Sequence, residues 1–371
     1  MRLKKTIIMT LCSFLSITLS SFASSNSSNK DKILFGGGAA GSTFQTVVNA
    51  INSFKPVKDA EGFKVQAESS EGSIDNLKKI DDGTFQMGIV YSGDLWQGAN
   101  GKIFSYLQNT SAANASGTKS PAQNSSQIYS KPMAVAYLYT ASAHLIVHKN
   151  GTEGKAGTDT QTENKINSIS DLEGKRVGVG NTGSGDYSTC ELFLTHLGLW
   201  NKIEKRGVGY NDAARAFKNN EIDAFWVFSA LPSHAVTMVA DIKGDESDTK
   251  IELLNLGDDA DKSGFLKEFP WFSTTMIKGG TYRGVNQDTL SFQDSAIWVA
   301  NADVSADMVY QMLLIIYTDE GLKHLAKQNT PLKEMSIATG VIGIITPLHP
   351  GAEKFWKEKG ILLESSAAEK R

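Results

Sequence analysis

Two glycine-rich turns, far apart in the chain and built alike, constrain the fold most. Ile33–Val48 reads ILFGGGAAGSTFQTVV: a short apolar run, a turn through Gly36, Gly37, Gly38 and Gly41, then Ser42 and Thr43 at the head of an amphipathic segment. Arg176–Leu197, RVGVGNTGSGDYSTCELFLTHL, repeats the order near mid-chain. Each reads as strand, glycine turn, helix. Glycine lets the backbone turn tightly and approach a ligand closely. The helix that follows aims unpaired N–H groups and its positive dipole end at whatever occupies the turn. Two such units predict two α/β lobes, each offering a helix N-terminus to a shared cleft.

Nucleotide readings of these turns fail on chemistry. Both match G-x-G-x-x-G, but no acidic residue stands at the usual distance to hold a ribose. The Gly36–Thr43 turn lacks the lysine that a P-loop needs as a counter-charge to phosphate. Thr182 occupies the first glycine's place in G-x-S-x-G, so Gly183-Ser184-Gly185 is no nucleophile elbow. Ser42, Thr43, Thr182 and Ser184 remain clustered at the two helix starts, where hydroxyls either cap the helix or bind a ligand.

Met1–Ala23 has the form of a secretory signal: basic Arg2, Lys4 and Lys5, an apolar core over Ile7–Leu19 too short to span a bilayer, and a small-x-small site at Ser21-Phe22-Ala23. The mature protein is expected to be periplasmic and soluble, with Ser24–Asn29 as a flexible start. About 348 residues of the 371 remain after cleavage, enough for two domains. The formal net charge of −3 makes nucleic acid a poor partner. Only Cys190 survives cleavage, inside the second glycine-unit helix, so no disulfide framework is expected.

In chain order, the first lobe reads β-α-β-α-β, with strands at Phe63–Glu68 and Phe85–Ser92 and a helix entered through SSEGSIDN, where Ser70, Ser73 or Asn76 could cap. Ligands of open α/β sheets sit outside the carboxyl ends of the strands. Gly38, Ser70, Ser73, Tyr91 and Ser92 are therefore candidates beside the helix-start hydroxyls. Asn109–Ser130 and Gly151–Lys165 read as polar insertions. Met133–His148 carries the chain between lobes; His144 within it suits packing or hydrogen bonding better than metal binding. The second lobe continues with a helix at Asp212–Asn219, a buried strand at Ile222–Phe228, and a strand-to-helix mouth at Ser229 and Pro232. Asp303–Lys327 predicts one long amphipathic helix, with Val304, Met308, Met312, Ile315 and Leu322 on its core stripe. Phe44, Tyr91 and Trp226 would pack either a ligand's carbon chain or the core. Arg176 opens a strand, away from its carboxyl end, which argues against it as a carboxylate clamp; Arg283 is the other candidate. No metal-binding spacing and no nucleophile–base pair is visible, so neither a metal, a cofactor nor catalysis is expected.

Seven blocks in order resemble the TAXI-type solute-binding proteins of TRAP transporters. They are Gly36–Phe44 (GGGAAGSTF), Gly72–Leu77 (GSIDNL), Ile89–Ser92 (IVYS), Ser170–Val177 (SDLEGKRV), Gly183–Gly185 (GSG), Ile222–Phe225 (IDAF) and Pro347–Glu353 (PLHPGAE). The resemblance runs from about residue 33 to 361. It implies a periplasmic-binding-protein type II fold, two α/β lobes with a ligand cleft between them. Lobe one would take 24–138 and 290–371, and lobe two 139–289. It implies a monomeric receptor that delivers a small organic acid, glutamate or 2-oxoglutarate-like, to TRAP membrane permease subunits. Alternatives on the same fold are a receptor for a sensor kinase or an ABC importer, and a secreted enzyme. The site residues implied are Gly38, Ser42, Thr43, Phe44, Ser70, Ser73, Tyr91, Ser92, Thr182, Ser184, Asp186, Ser229 and Pro232. The chain departs from the family at Ala40, Tyr91 and Asp186, where threonine, glutamine and threonine are usual. Asp186 would repel an anion or pair with a ligand amino group, which favours an amino acid over a keto acid.

Overall fold

The computed structural model describes residues 30–103, 127–151, 165–240 and 251–361. Met1–Ala23, Ser24–Asn29 and most of the two polar insertions lie outside the described residues. The strands are β1 (Asp31–Gly36), β2 (Phe63–Glu68), β3 (Met87–Tyr91), β4 (Pro132–His148), β5 (Arg176–Gly178), β6 (Glu204–Arg206), β7 (Ala224–Ser229), β8 (Ile251–Leu253), β9 (Ser273–Ile277) and β10 (Thr289–Asn301). They form one mixed sheet ordered β2-β1-β3-β10-β4-β7-β5-β6, with β8 on β4 and β9 on β10.

The order repeats itself. β2-β1-β3 are parallel and meet β10 antiparallel; β6-β5-β7 are parallel and meet β4 antiparallel. Each glycine unit thus supplies the middle strand of a three-stranded parallel set. β4 and β10 pair with each other between the two sets and join them. This is the type II periplasmic-binding-protein fold, with two lobes. At 17 residues, β4 runs roughly 56 Å at 3.3 Å per residue, long enough to serve both lobes.

Helices α1 (Thr43–Ser53), α2 (Lys55–Asp59), α3 (Ser73–Asp81), α4 (Ser92–Ala99), α5 (Gly185–His196), α6 (Tyr210–Lys218), α7 (His234–Ala240), α8 (Gly257–Lys262), α9 (Phe265–Glu268), α10 (Ala306–Ile316), α11 (Asp319–Gln328) and α12 (Pro350–Glu358) complete the described elements. α1 buries Phe44, Val47, Val48, Ala50 and Ile51. At about 1.5–3 kcal/mol for each fully buried large side chain, that face anchors the glycine turn beneath it. Cys190 is buried and free, and Trp226 packs among Phe193 and Phe292 in the core, away from the cleft. His144 is a buried structural residue, its Nδ1 facing the Ser142 carbonyl and its Nε2 2.8 Å from the Tyr282 hydroxyl.

Several expectations are corrected. The long helix over Asp303–Lys327 is two helices, α10 and α11. Thr318 breaks it by capping the second, accepting from Gly321 N–H. The buried stripe is Val309, Met312, Leu313, Ile316 and Leu325, with Val304, Met308, Ile315 and Leu322 only half-buried beside it. A helix, α4, begins directly at the end of β3 and was not anticipated. No side chain caps α3: its N-cap is Gly72, whose φ of +125° would strain other residues. Asn76 instead straps α3 to the strand ends, its amide donating to Gly37 and Ile89 carbonyls at 2.7 and 2.8 Å.

Candidate functional site

Four helices begin at one cavity of about 330 Å³ between the lobes. α1 and α3 come from the first lobe, α5 and α6 from the second. Ser42 Oγ accepts from Gln45 N–H to cap α1, and Ser184 Oγ accepts from Tyr187 N–H to cap α5. Such caps are worth about 1 kcal/mol each. The earlier N–H groups in each first turn have no intrahelical acceptor, and the four dipoles point positive into the same space. α6 starts at Gly209 with no side-chain cap at all.

Aromatic rings line the deep side. Phe44 and Tyr91 stand 5.0 Å apart at their centroids, and Tyr91 meets Phe228 edge-on at 4.9 Å. Tyr139 also lines the cavity; it is fully buried, and although the Thr43 hydroxyl lies nearby, no partner reaches hydrogen-bond geometry with its hydroxyl. A buried hydroxyl without a well-aligned partner costs about 1–3 kcal/mol. Burial pushes the hydroxyls of Tyr91, Tyr139 and Tyr210 well above the usual phenol range, so all three stay protonated.

Asp186 is the cavity's buried acid. Its Oδ1 accepts from Phe228 N–H at 2.6 Å and from the Tyr210 hydroxyl at 2.8 Å. Desolvation nevertheless pushes its pKa up to about 7, against those two bonds. The Tyr210 hydroxyl also lies 2.9 Å from the Phe228 carbonyl, to which Tyr91 donates at 2.7 Å. Tyr210 has one proton to give, so the ionisation of Asp186 decides where it points. Arg215 is the one lysine or arginine among the lining residues, and it is ion-paired with Asp212. Anion binding here would rest on backbone N–H groups rather than on a free cation.

The lobes touch across this cavity. Tyr91 in the first lobe donates to Phe228 O in the second, Asp75 N–H reaches Gly183 O at 3.2 Å, and Ser188 Oγ donates to Asp94 at 2.9 Å. Gly185 permits this approach, because a Cβ there would overlap the Tyr91 ring.

Of the residues expected from sequence, Gly38, Ser42, Thr43, Phe44, Ser73, Tyr91, Ser184, Asp186 and Ser229 line the cavity. Four do not. Ser70 ties the backbone of Gly37 and Gly72 together, Ser92 donates to Gly343 O, and Thr182 and Pro232 are exposed on the surface. Ser73 lines the wall but its hydroxyl is occupied, accepting from Tyr91 N–H at 2.9 Å. Arg176 is clamped to Asp223 through two bonds of 3.0 and 2.7 Å, in keeping with its rejection as a ligand clamp. Arg283 is outside the lining. Tyr139, Tyr210, Asn181, Asn211 and Arg215 were missed. For α6 a signal existed: Gly209 before a helical pattern with Asp212 in its first turn is an N-terminal signature. Tyr139 had none, because β4 carries register shifts around Leu138 that break its alternation.

Solved structures resemble the chain over most of its length. The periplasmic aliphatic sulphonate binding protein SsuA from Escherichia coli is 13% identical, with 88% of this chain and 83% of that one covered and a TM-score of 0.43. A protein from Bordetella bronchiseptica RB50 is 16% identical over 91% and 87%, TM-score 0.47. The GluR0 ligand-binding core from Nostoc punctiforme, solved with L-glutamate, is 12% identical over 81% and 98%, TM-score 0.39. At these values they say nothing of this chain's ligand, and its architecture rests on its own strand order. A family match runs from residue 35 to residue 360, nearly the whole described chain, and by it the protein belongs to the NMT1-like family.

Proposed function

We propose that this protein is a solute receptor that closes its two lobes on one small organic acid. The observation that carries the reading is the meeting of four helix N-termini, two from each lobe, at one cavity. An acid held in this way draws the lobes together, since each contributes donors. The unpartnered Tyr139 hydroxyl supplies a further donor. Asp186 supplies the opposite polarity, which suits a ligand with an ammonium at one end and a carboxylate at the other. We therefore favour a glutamate-like amino acid over a keto acid. The residues assigned to ligand contact are Gly38, Ser42, Thr43, Phe44, Tyr91, Tyr139, Ser184, Asp186, Tyr210 and Ser229.

The lobes are assigned as 24–138 with 290–371, and 139–289, joined through β4 and β10. Export through a cleaved Met1–Ala23 segment would place the receptor in the periplasm as a monomer. Its partner would be a TRAP-type membrane permease, on the strength of the ordered sequence blocks ending in Pro347–Glu353. A receptor role without catalysis predicts that bound ligand is recovered unchanged.

The test is a thermal-shift screen of ligand-stripped mature protein with glutamate, glutamine, 2-oxoglutarate and C4-dicarboxylates, with ATP and NAD as controls. A ligand at about 100 times its dissociation constant should stabilise by about 2.7 kcal/mol. A shift with one acid and none with nucleotides supports the reading. A shift with a nucleotide alone, or with none of the acids, overturns it.

A further inference from the structure

A second cavity, of about 340 Å³, lies on the other side of the α3–α5 contact, between α4 of the first lobe and α5 of the second. That size falls within the range of small-molecule sites. Its body is apolar, formed by Ile74, Leu192, Trp200 and Phe269. Asp94, Glu191 and Glu268 border it; His196 also lines it, its Nδ1 3.1 Å from the Glu268 carboxylate, and no lysine or arginine does among the described residues. The first cavity shares none of these residues, although Glu191 and Leu192 lie on the helix that follows the second glycine turn.

Asp94 makes this more than an acidic hollow. It sits in the first turn of α4 and is only 4% exposed. One carboxylate oxygen accepts from Ser188 across the lobes; the other, Oδ2, is buried without a hydrogen-bond partner. The Ser73 hydroxyl lies nearby but does not reach hydrogen-bond geometry, and Ser73 already accepts from Tyr91 N–H. A buried carboxylate oxygen left unsatisfied is costly, more so than a neutral acceptor. Burial accordingly pushes the Asp94 carboxyl up to about 6. An ammonium group brought to Oδ2 would supply both a donor and a counter-charge.

We propose that this second cavity binds a small apolar primary amine, its ammonium on Asp94 and its hydrocarbon body against Leu192, Trp200 and Phe269. Because one wall belongs to each lobe, an occupant bridges them independently of the ligand in the first cavity.

The experiment is a calorimetric titration of ligand-stripped mature protein with 2-phenylethylamine, with 2-phenylethanol as the neutral match. Three proteins are compared: wild type, Asp94→Asn, and Thr195→Trp, which narrows the cavity from an exposed rim position. Saturable one-to-one binding of the amine, at least tenfold tighter than the alcohol and weakened at least tenfold in both variants, is expected. Thr195→Trp changes no buried residue, so it keeps the test decisive if Asp94→Asn folds poorly. The proposal is overturned if the amine does not bind, if the alcohol binds equally, or if the amine binds Thr195→Trp as well as wild type. The last result would assign the amine to Asp186 in the first cavity. None of these outcomes depends on which acid the first cavity takes.

Discussion

Replacing Asp186 by asparagine should make the ligand-free protein more stable at pH 8, in spite of the two hydrogen bonds this residue accepts. Asparagine keeps an Oδ1 for Phe228 N–H and the Tyr210 hydroxyl and removes only the charge. The wild-type carboxyl is raised from 3.8 to about 7, first by desolvation. A raised carboxyl binds its proton more tightly folded than unfolded. Its stabilising contribution is therefore complete below about pH 3.8 and lost as pH climbs through about 7. At 1.36 kcal/mol per unit, the full loss is roughly 4 kcal/mol. Opening the lobes rehydrates the carboxylate without unfolding the chain, which caps the visible part, so about 1–4 kcal/mol is expected. Asp94 and Asp294 are raised as well and titrate in both proteins, so the larger part of their contribution cancels in the difference, although the Asp94 charge itself helps to raise Asp186. The assay is urea unfolding, followed by tryptophan fluorescence, at pH 5 and pH 8. A more stable variant is expected, with an advantage that widens by up to about 2–3 kcal/mol from pH 5 to pH 8. A variant less stable at pH 8, or a difference that does not change with pH, would refute the buried-acid reasoning.

Other substitutions separate ligand contact from scaffolding. Tyr139→Phe removes only the unpartnered hydroxyl; it should weaken acid binding by about tenfold, the worth of one good hydrogen bond, and leave the melting temperature unchanged or raised. Gly185→Ala should leave each lobe folded but obstruct closure, because the new methyl overlaps the Tyr91 ring; small-angle scattering with saturating ligand should show a larger radius of gyration than wild type. Arg176→Ala breaks the bidentate pair with Asp223; it should destabilise by about 1–3 kcal/mol in chemical denaturation with ligand affinity unchanged. If the ligand carries an amino group, Asp186→Asn should weaken glutamate binding at least tenfold while sparing 2-oxoglutarate, as read by competition.

What the sequence made legible, and what it hid, follow from the range of the interactions. Gly36–Val48 and Gly178–His196 could be read because strand, turn and cap are all local: Ser42 and Ser184 cap helices three residues ahead of the N–H groups they accept. Asp186 was visible as an oddity for the same reason, being in the first turn of a recognisable helix. Tyr139 was hidden because two register shifts in the β4–β10 pairing decide which of Tyr137 and Tyr139 faces the cleft. Ser70 and Ser92 misled because strand-end serines have backbone partners that lie far along the chain, at Gly37 and Gly343. The break between α10 and α11 turned on one threonine cap inside an otherwise unbroken apolar periodicity.

The most direct measurement is an isothermal titration of ligand-stripped mature protein with glutamate and with 2-oxoglutarate, run beside Tyr139→Phe. The account predicts one-to-one binding of one acid, glutamate by preference, weakened about tenfold in the variant. No heat with either acid, or binding that the loss of the Tyr139 hydroxyl leaves untouched, would contradict the claim that the helix-rimmed cavity is where the ligand is held.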